Sequence, residues 1–472
     1  MGQRLAGMLT ESSLRELVAK GEIDTVLTVF PDLYGRLVGK RHTAEFFCDH
    51  VLAEGMHACD YLLACDMEMD PVPGYEFTSW EKGYGDVRCV PDLATLRRAT
   101  WLEHTALVLC DVREEPGDAL VGIAPRTVLR HQLSRAAAAG YVPMGASELE
   151  FFILRETYET AQQKGFDRLE TAGWFIEDYH TLQGFKVEPL VGAIRRHAGE
   201  SGVPVESSKG EWGPGQQEIN LRYAGFLEMA DRHVIYKQAA KEIAIQNGLA
   251  VTFMAKFSEH LAGSSMHLHS SLWRDGGRRP AFAALPAPAG EARAGGRDDA
   301  ATLPDLCRWW LGGLMHHARA CTLLFAPYVN SYKRFRAGSF APTAIAWALD
   351  NRTVGFRIVG SGPALRVECR IPGADANPYL AFAATLAAGL DGIDKRIEPP
   401  PRFTGDAYAA GGLPRVPATL SEALVEFASS ALFRDAFGTD VVQHLVHFAR
   451  TEQRKFDEAV TTWERRRYLE RA

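Results

Sequence analysis

No Cys-x-x-Cys pair occurs in this chain of 472 residues, although it carries 8 cysteines, at positions 48, 59, 65, 89, 110, 307, 321 and 369. In a chain this long, without such a pair, the cysteines read as reduced, mostly buried thiols of a cytoplasmic protein. No run of about 18 or more apolar residues is present, so no transmembrane helix is expected. No charged segment followed by an apolar one opens the chain, so no secretion signal is expected either. Excess positive charge is also missing: the net charge is −7, which gives no global reason to expect a nucleic-acid partner. The basic run Arg465-Arg466-Arg467 reads as a solvated face or subunit contact. A Walker A loop and a Rossmann Gly-x-Gly-x-x-Gly turn are both absent, which disfavours the common nucleotide folds. Gly145-Ala146-Ser147-Glu148 does not make a Gly-x-Ser-x-Gly elbow, which disfavours a serine hydrolase.

What is present is a two-residue rhythm of chemistry-bearing side chains. Ser-Glu-Leu-Glu-Phe-Phe (147–152), Met-His-Leu-His (266–269) and Arg-Val-Glu-Cys-Arg (366–370) each place a charged or metal-binding residue at every second position. Alternate side chains of a strand share a face. Glu148 therefore pairs with Glu150, His267 with His269, and Arg366 with Glu368 and Arg370. Leu149, Leu268, Val367 and Cys369 suit a buried opposite face. Such a polar face is costly to hide unless it holds metal and anion. Two further carboxylates, Glu211 and Glu218, bracket a turn with two glycines and a proline that can bring both to one place. Five carboxylates with one imidazole, His267, suit Mg²⁺ or Mn²⁺ better than structural zinc. Arg334, Arg352, Arg357, Arg366 and Arg370 crowd into one short stretch. Each alone reads as a surface residue, but interleaved with Glu368 they read as a clamp on a transferring phosphoryl group.

Local patterns predict a helix over 11–20, strands over 24–30 and 105–112, and a turn from 31 to 40 into a second strand. The Pro- and Gly-bearing stretch 113–123 reads as a domain boundary. Further helices are predicted over 125–139, 226–247, 304–325, 376–394, 419–430 and 436–466, the first with an inward stripe of Leu129, Leu133 and Ala137. The stretch 279–303, rich in Pro, Ala, Gly, Arg and Asp, reads as an exposed insertion.

The blocks 145–152, 211–223, 263–271, 330–342, 351–358 and 366–382 resemble, in order and over about 350 residues, the signatures of the glutamine synthetase superfamily. Asn-Ser-Tyr-Lys-Arg (330–334) and Arg-x-Glu-x-Arg followed by Asn377-Pro378-Tyr379-Leu380 are the most distinctive. The resemblance implies an α+β fold. A β-grasp-like N-terminal domain (1–115) would precede a catalytic domain (116–472) with a curved antiparallel sheet and flanking helices. It implies ATP and Mg²⁺ (or Mn²⁺), one ion held by Glu150, Glu211 and Glu218 and a second by Glu148, His267 and Glu368. Glu206, Tyr223, His269 and Ser271 match ATP-site positions, with Tyr223 stacking on adenine, and Arg352, Arg357 and Arg366 match phosphate-facing arginines. Gly263, Arg334 and Arg370 match the glutamate site. It further implies a homododecamer of two hexameric rings, each site completed by a neighbour's N-terminal domain. Tyr408 lies near a position modified in some members, but its surroundings match poorly and it is expected to be an ordinary exposed tyrosine.

Departures from the family pattern bear on the nucleophile. The family's flap, Pro-Gly-Tyr-Glu-Ala-Pro, here reads Ala337-Gly338-Ser339-Phe340-Ala341-Pro342, so Phe340 replaces the glutamate that helps take the ammonium proton. Ala262 replaces a usual Asn, and the N-terminal Asp-Gly-Ser-Ser segment is absent, leaving Asp60 as its counterpart and Asp66 and Glu68 as further acids for an amine. An aromatic ring packs against alkyl groups or offers a cation–π face, but it accepts no proton. The expectation is an ATP-dependent ligase joining glutamate to a primary amine, ethanolamine or a putrescine-like polyamine, through γ-glutamyl phosphate, with similarity to bacterial γ-glutamylamine synthetases. An ammonium-using glutamine synthetase and a catalytically silent structural or regulatory relative remain the alternatives.

Overall fold

The computed structural model describes residues 5–283, 303–336 and 338–472, so most of the expected insertion at 279–303 lies outside the described residues. The chain is α+β and builds two sheets. The first takes β1 (Thr25–Pro31), β2 (Leu37–Thr43), β3 (Met56–Cys59), β4 (Asp86–Pro91), β5 (Arg97–Arg98) and β6 (Thr105–Glu114). Its order is β2-β1-β6-β4-β3, with β5 on β6. The β1–β6 pair is parallel and the other pairs are antiparallel. β1 is buried along almost its whole length because β2 and β6 flank it, and it reads accordingly as a mostly apolar run broken by Thr28, whereas the edge strand β2 carries exposed Lys40 and Arg41.

The second sheet takes β7 (Val142–Leu154), β8 (Val205–Gly210), β9 (Gln216–Leu221), β10 (Ala224–Gly225), β11 (Ala250–Thr252), β12 (Met266–Arg274), β13 (Arg279–Pro280), β14 (Trp347–Leu349), β15 (Phe356–Val359) and β16 (Arg366–Cys369). The long path runs β14-β15-β16-β12-β7-β9-β8. It is antiparallel except at one end, where β14 runs parallel to β15. β7 is its spine, pairing with β9, β10, β11 and β12. Helices Phe226–Gln246 and Pro378–Asp394 form the core, where Phe226 packs on Phe382. Small residues let the second helix approach its neighbours: a Cβ on Gly389 would stand 2.2 Å from the Trp310 ring.

The expected helices form with two corrections. The 304–325 segment is two helices, Asp305–His316 and Ala318–Phe325, because the backbone at His317 leaves helical geometry (φ −98°, ψ 5°). The 436–466 segment also breaks: Thr439–Glu458 ends at extended Ala459, and Thr461 with Glu464 caps a new helix, Thr462–Tyr468. In helix Pro125–Ala138 the buried residues include Leu129 and Ala136, while Ala137 faces out. The same buried face carries Arg126, which bonds Asp231 of helix Phe226–Gln246 at 2.9 Å, Asp92 at 2.7 Å and, in a short contact, Asp111 of β6. One guanidinium thus joins the smaller sheet to the helices under the larger one. Asn377 adds a second tie, its amide donating to the carbonyls of Asp32 and Leu33.

Candidate active site

Strand register brings the alternating residues together. Glu148 on β7 faces His267 on β12 and Asn220 on β9, and Glu150 faces Glu218. On the other side of β12, His269 faces Glu368 of β16, which in turn faces Arg357 of β15. Ligand atoms of Glu148, His267 and Glu368 lie within 4.8 Å of one another, and so do those of Glu150, Glu218 and His267. His267 thus sits between both groups. Its Nδ1 is 3.3 Å from Glu148 and 3.6 Å from Glu368, and its Nε2 is 4.0 Å from Glu150. Glu211 lines the same cavity of about 510 Å³, but its carboxylate is held by the Lys209 ammonium.

The electrostatics fit a divalent cation. His267 Nε2 is buried with no hydrogen-bond partner. Burial, assisted by Arg370, lowers the His267 pKa and keeps the imidazole neutral, the form that ligates metal. Burial and then the charge of Glu211 push Glu150 and Glu218 well above the ordinary carboxylate range. A hard cation among these oxygens would supply the compensating charge. Glu148 moves the other way, well below that range: its burial is outweighed by hydrogen bonds from His267 and His269.

The arginines stand around this cluster. Glu368 is fully buried, paired at 2.9 Å with Arg357 and in a short contact with Arg370. Arg366 donates to His269 Nδ1 at 3.1 Å, which leaves His269 Nε2 to donate to Glu148 at 2.8 Å. Arg352, Arg357 and Arg370 line the acidic cavity. Arg334 stands behind its wall, bonded to Ser265 Oγ at 3.0 Å and to the Ile371 carbonyl. Burial lowers its pKa to about 10, so it keeps its charge at neutral pH. Gly263 makes room for it: a Cβ there would lie 2.4 Å from Arg334 Cγ. Gln216 ties the two loops over the cavity, its amide donating to the Gly263 carbonyl at 2.9 Å while its own carbonyl accepts from Gly213 N–H at 3.0 Å.

A second cavity of about 460 Å³ shares Glu148 and Asn220 with the first. Glu206, Tyr223, His269, Ser271 and Arg366 line it, whereas Arg352 and Arg357, matched to the same nucleotide site, line the first cavity. Glu206 occupies a β-bulge between Val205 and Ser207, which re-aims its side chain. Trp273, not foreseen, faces Tyr223 with ring centroids 6.4 Å apart and planes 21° from parallel. Continuing the alternation of His267, His269 and Ser271 by one step would have found it.

At the mouth of the acidic cavity stand Trp212, Tyr179 and Asp178, missed because they come from irregular segments, with Lys209 of β8, also missed, and Phe340. Trp212 and Phe340 pack with centroids 5.5 Å apart. Asp60 is elsewhere, its carboxylate accepting from Thr78 at 2.5 Å on the smaller sheet's side of the chain. Asp66 and Glu68 are engaged by Lys455, so within this chain they hold a helix in place. Tyr408 corrects an expectation: its hydroxyl is buried without a hydrogen-bond partner, and Arg370 and Arg334 pull against the burial that raises its pKa to about 12.

The chain belongs to the glutamine synthetase family, whose catalytic domain matches residues 122–468. Within that family it is 47% identical over 458 residues, 97% of this chain and 95% of the relative, to the γ-glutamylethanolamide synthetase GlnA4 of Streptomyces coelicolor. It is 35% identical over 463 residues, 97% of each chain, to a glutamate–isopropylamine ligase from a Pseudomonas species. A glutamine synthetase of Thermotoga maritima is 34% identical over 395 residues, 81% of this chain and 85% of the relative. Among solved structures, GmaS in an ADP complex superposes with a TM-score of 0.81 at 28% identity, covering 97% of this chain and 99% of that one. GmaS without ligand gives 0.82 at 28% identity, over 97% of this chain and 100% of that one.

Proposed function

We propose that the protein is an ATP-dependent ligase that joins the γ-carboxyl group of glutamate to a primary amine by way of γ-glutamyl phosphate. The observation that carries this reading is the junction of two cavities at Glu148 and Asn220, one lined by carboxylates and arginines and the other by facing aromatic rings. Relatives that act on ethanolamine and isopropylamine support the amine, and Phe340 in the flap supports it from within the chain.

In this reading Tyr223 and Trp273 hold the adenine, and Arg366, Arg357 and Arg352 draw the phosphates towards the shared opening. Arg370 meets the γ-carboxylate, and Arg334 with Gly263 shapes the glutamate site. Glu148, Glu150, Glu211, Glu218, His267 and Glu368 would hold Mg²⁺ or Mn²⁺, which supplies charge neutralisation for phosphoryl transfer. A carboxylate resists attack by an amine; once it is an acyl phosphate, a deprotonated amine displaces phosphate and leaves an amide. Arginines fixed by Glu368 and His269 before the reaction need no rearrangement as charge shifts onto the transferring group.

The same proposal divides the chain into units of residues 1–115 and 116–472 and assembles it as a dodecamer of two hexameric rings in the cytoplasm. Helix Thr462–Tyr468 supports assembly, since it buries none of its residues and leaves Trp463 exposed. In such a ring a neighbour's Asp60 would complete the site. The eight unpaired cysteines fit a reducing compartment, and among the described residues no helix is long and apolar enough to cross a membrane. The test is phosphate release from ATP with glutamate, Mg²⁺ and separate amines. Release only with ammonium would make the protein a glutamine synthetase, and no release with any amine would refute the ligase reading.

A further inference from the structure

We infer that Trp212 and Phe340 form the wall along which the amine's carbon chain lies, and that this subsite selects a short primary amine with one charge over a diamine or polyamine. The inference rests on the ligase reading above and specifies its nucleophile.

The wall is built from two separate segments, the turn between β8 and β9 and the flap at 338–340. Its rings meet at 59° with centroids 5.5 Å apart. Both side chains line the cavity that holds the carboxylates, yet they stand 47% and 48% exposed. Large half-exposed rings at a cavity mouth leave apolar surface that an alkyl chain would cover. Phe340 also holds a left-handed backbone conformation (φ +56°), uncommon for a bulky residue and a reason to seek a function at that position. Ammonium carries no methylene group and gains nothing from the wall.

Charge decides what the outer end of the amine can be. The third ring at the mouth, Tyr179, already has a cation on it, with Lys209 Nζ 4.8 Å from its centroid. That ammonium is fixed there by Glu211 and lies 3.9 Å from Glu218. Arg352, Arg357 and Arg370 line the same cavity. Of this chain's carboxylates that line it, Glu148, Glu150, Glu211 and Glu218 belong to the inner cluster, which leaves Asp178, and Asp178 is solvent-exposed; a neighbour's Asp60 in the proposed ring would serve the reacting nitrogen. The reacting nitrogen attacks as the free amine and needs none of the inner carboxylates, since those would hold the metal, whereas a second nitrogen several ångströms further out stays an ammonium, beside Lys209 and one hydrated acid. Screened exposed pairs contribute little, so Asp178 does not offset the repulsion from Lys209.

The experiment measures ADP release by the full-length protein with saturating glutamate, ATP and Mg²⁺, and varies ammonium, ethylamine, ethanolamine and putrescine. The wild-type protein should use ethylamine and ethanolamine with kcat/KM at least about tenfold above putrescine. Trp212→Ala and Phe340→Ala should each raise the KM for ethylamine about tenfold, the effect of uncovering roughly two methylene groups. The KM for ATP, glutamate and ammonium should stay within about twofold, and Trp212→Phe should restore most of the loss. Putrescine equal to or better than ethylamine in the wild type overturns the inference. So does a rise in the ATP and ethylamine KM by the same factor in Trp212→Ala, which would make Trp212 a merely structural residue. Absence of ADP release with every amine overturns the ligase reading and this inference with it.

Discussion

Replacing Gly263 with alanine should weaken glutamate binding through Arg334 without touching the carboxylate cluster. The added Cβ would lie 2.4 Å from Arg334 Cγ, 2.9 Å from its Cδ and 2.8 Å from the Ala255 carbonyl. Favourable carbon contacts begin near 3.5 Å, so the arginine stem must retreat by roughly 1 Å. It has little freedom to do so: Arg334 is 1% exposed, and its guanidinium is bonded to Ser265 and Ile371. Overpacking of this kind costs about 1–3 kcal/mol. If that strain is relieved by moving the guanidinium, it appears as a rise of roughly five- to a hundredfold in the KM for glutamate, since each ~1.4 kcal/mol is a factor of ten. The assay is steady-state ADP release with glutamate varied at saturating ATP and amine, beside thermal unfolding and the KM for ATP as controls. A glutamate KM within twofold of wild type, with unchanged thermal stability, would refute both the packing argument and the place of Arg334 in the glutamate site.

Arg126→Ala should destabilise the fold by about 3–5 kcal/mol, because it strips the shared partner from buried Asp231 and from Asp92 and Asp111; urea unfolding checks this, and a loss below about 1 kcal/mol would refute it. Tyr223→Ala should raise the KM for ATP by roughly five- to a hundredfold, from a stacking contribution of about 1–3 kcal/mol, and leave that for glutamate unchanged. Mg²⁺ binding near neutral pH should release protons, because Glu150 and Glu218 are held above the ordinary carboxylate range. The sign follows from the raised values: affinity for Mg²⁺ rises with pH as these groups deprotonate, while the metal-free fold loses stability as pH climbs from the ordinary carboxylate range through the raised one. Calorimetry in buffers of different ionisation heat measures the release, and binding heats independent of buffer would refute it.

Much of the site was legible because a strand's side-chain period is two and sequence spacing reports it directly. Glu148 with Glu150, His267 with His269, and Arg366 with Glu368 and Arg370 needed only that rule, and the order of the surrounding blocks pointed to the family. Element boundaries were harder. The kink at His317 and the break at Ala459 are set by local backbone and capping choices that an apolar period does not record. Aromatics in irregular segments were harder still: Trp212 and Tyr179 have no periodicity to betray them, and Trp273 was missed although its strand already carried the signal.

The amino-acid sequence by itself determined which side chains share a strand face and, through the order of its blocks, the family. Only the tertiary structure decided which faces meet. Inter-strand register put His267 beside Glu148 and in reach of Glu150, set Glu368 between Arg357 and Arg370, and gave Glu211 to Lys209. It also turned Asp66 and Glu68 towards Lys455, and Tyr408 inward. The physical reason is one of range. Alternation is a property of consecutive peptide units, whereas register, burial and pKa arise from groups tens or hundreds of residues apart, whose distances exist only once the chain has packed.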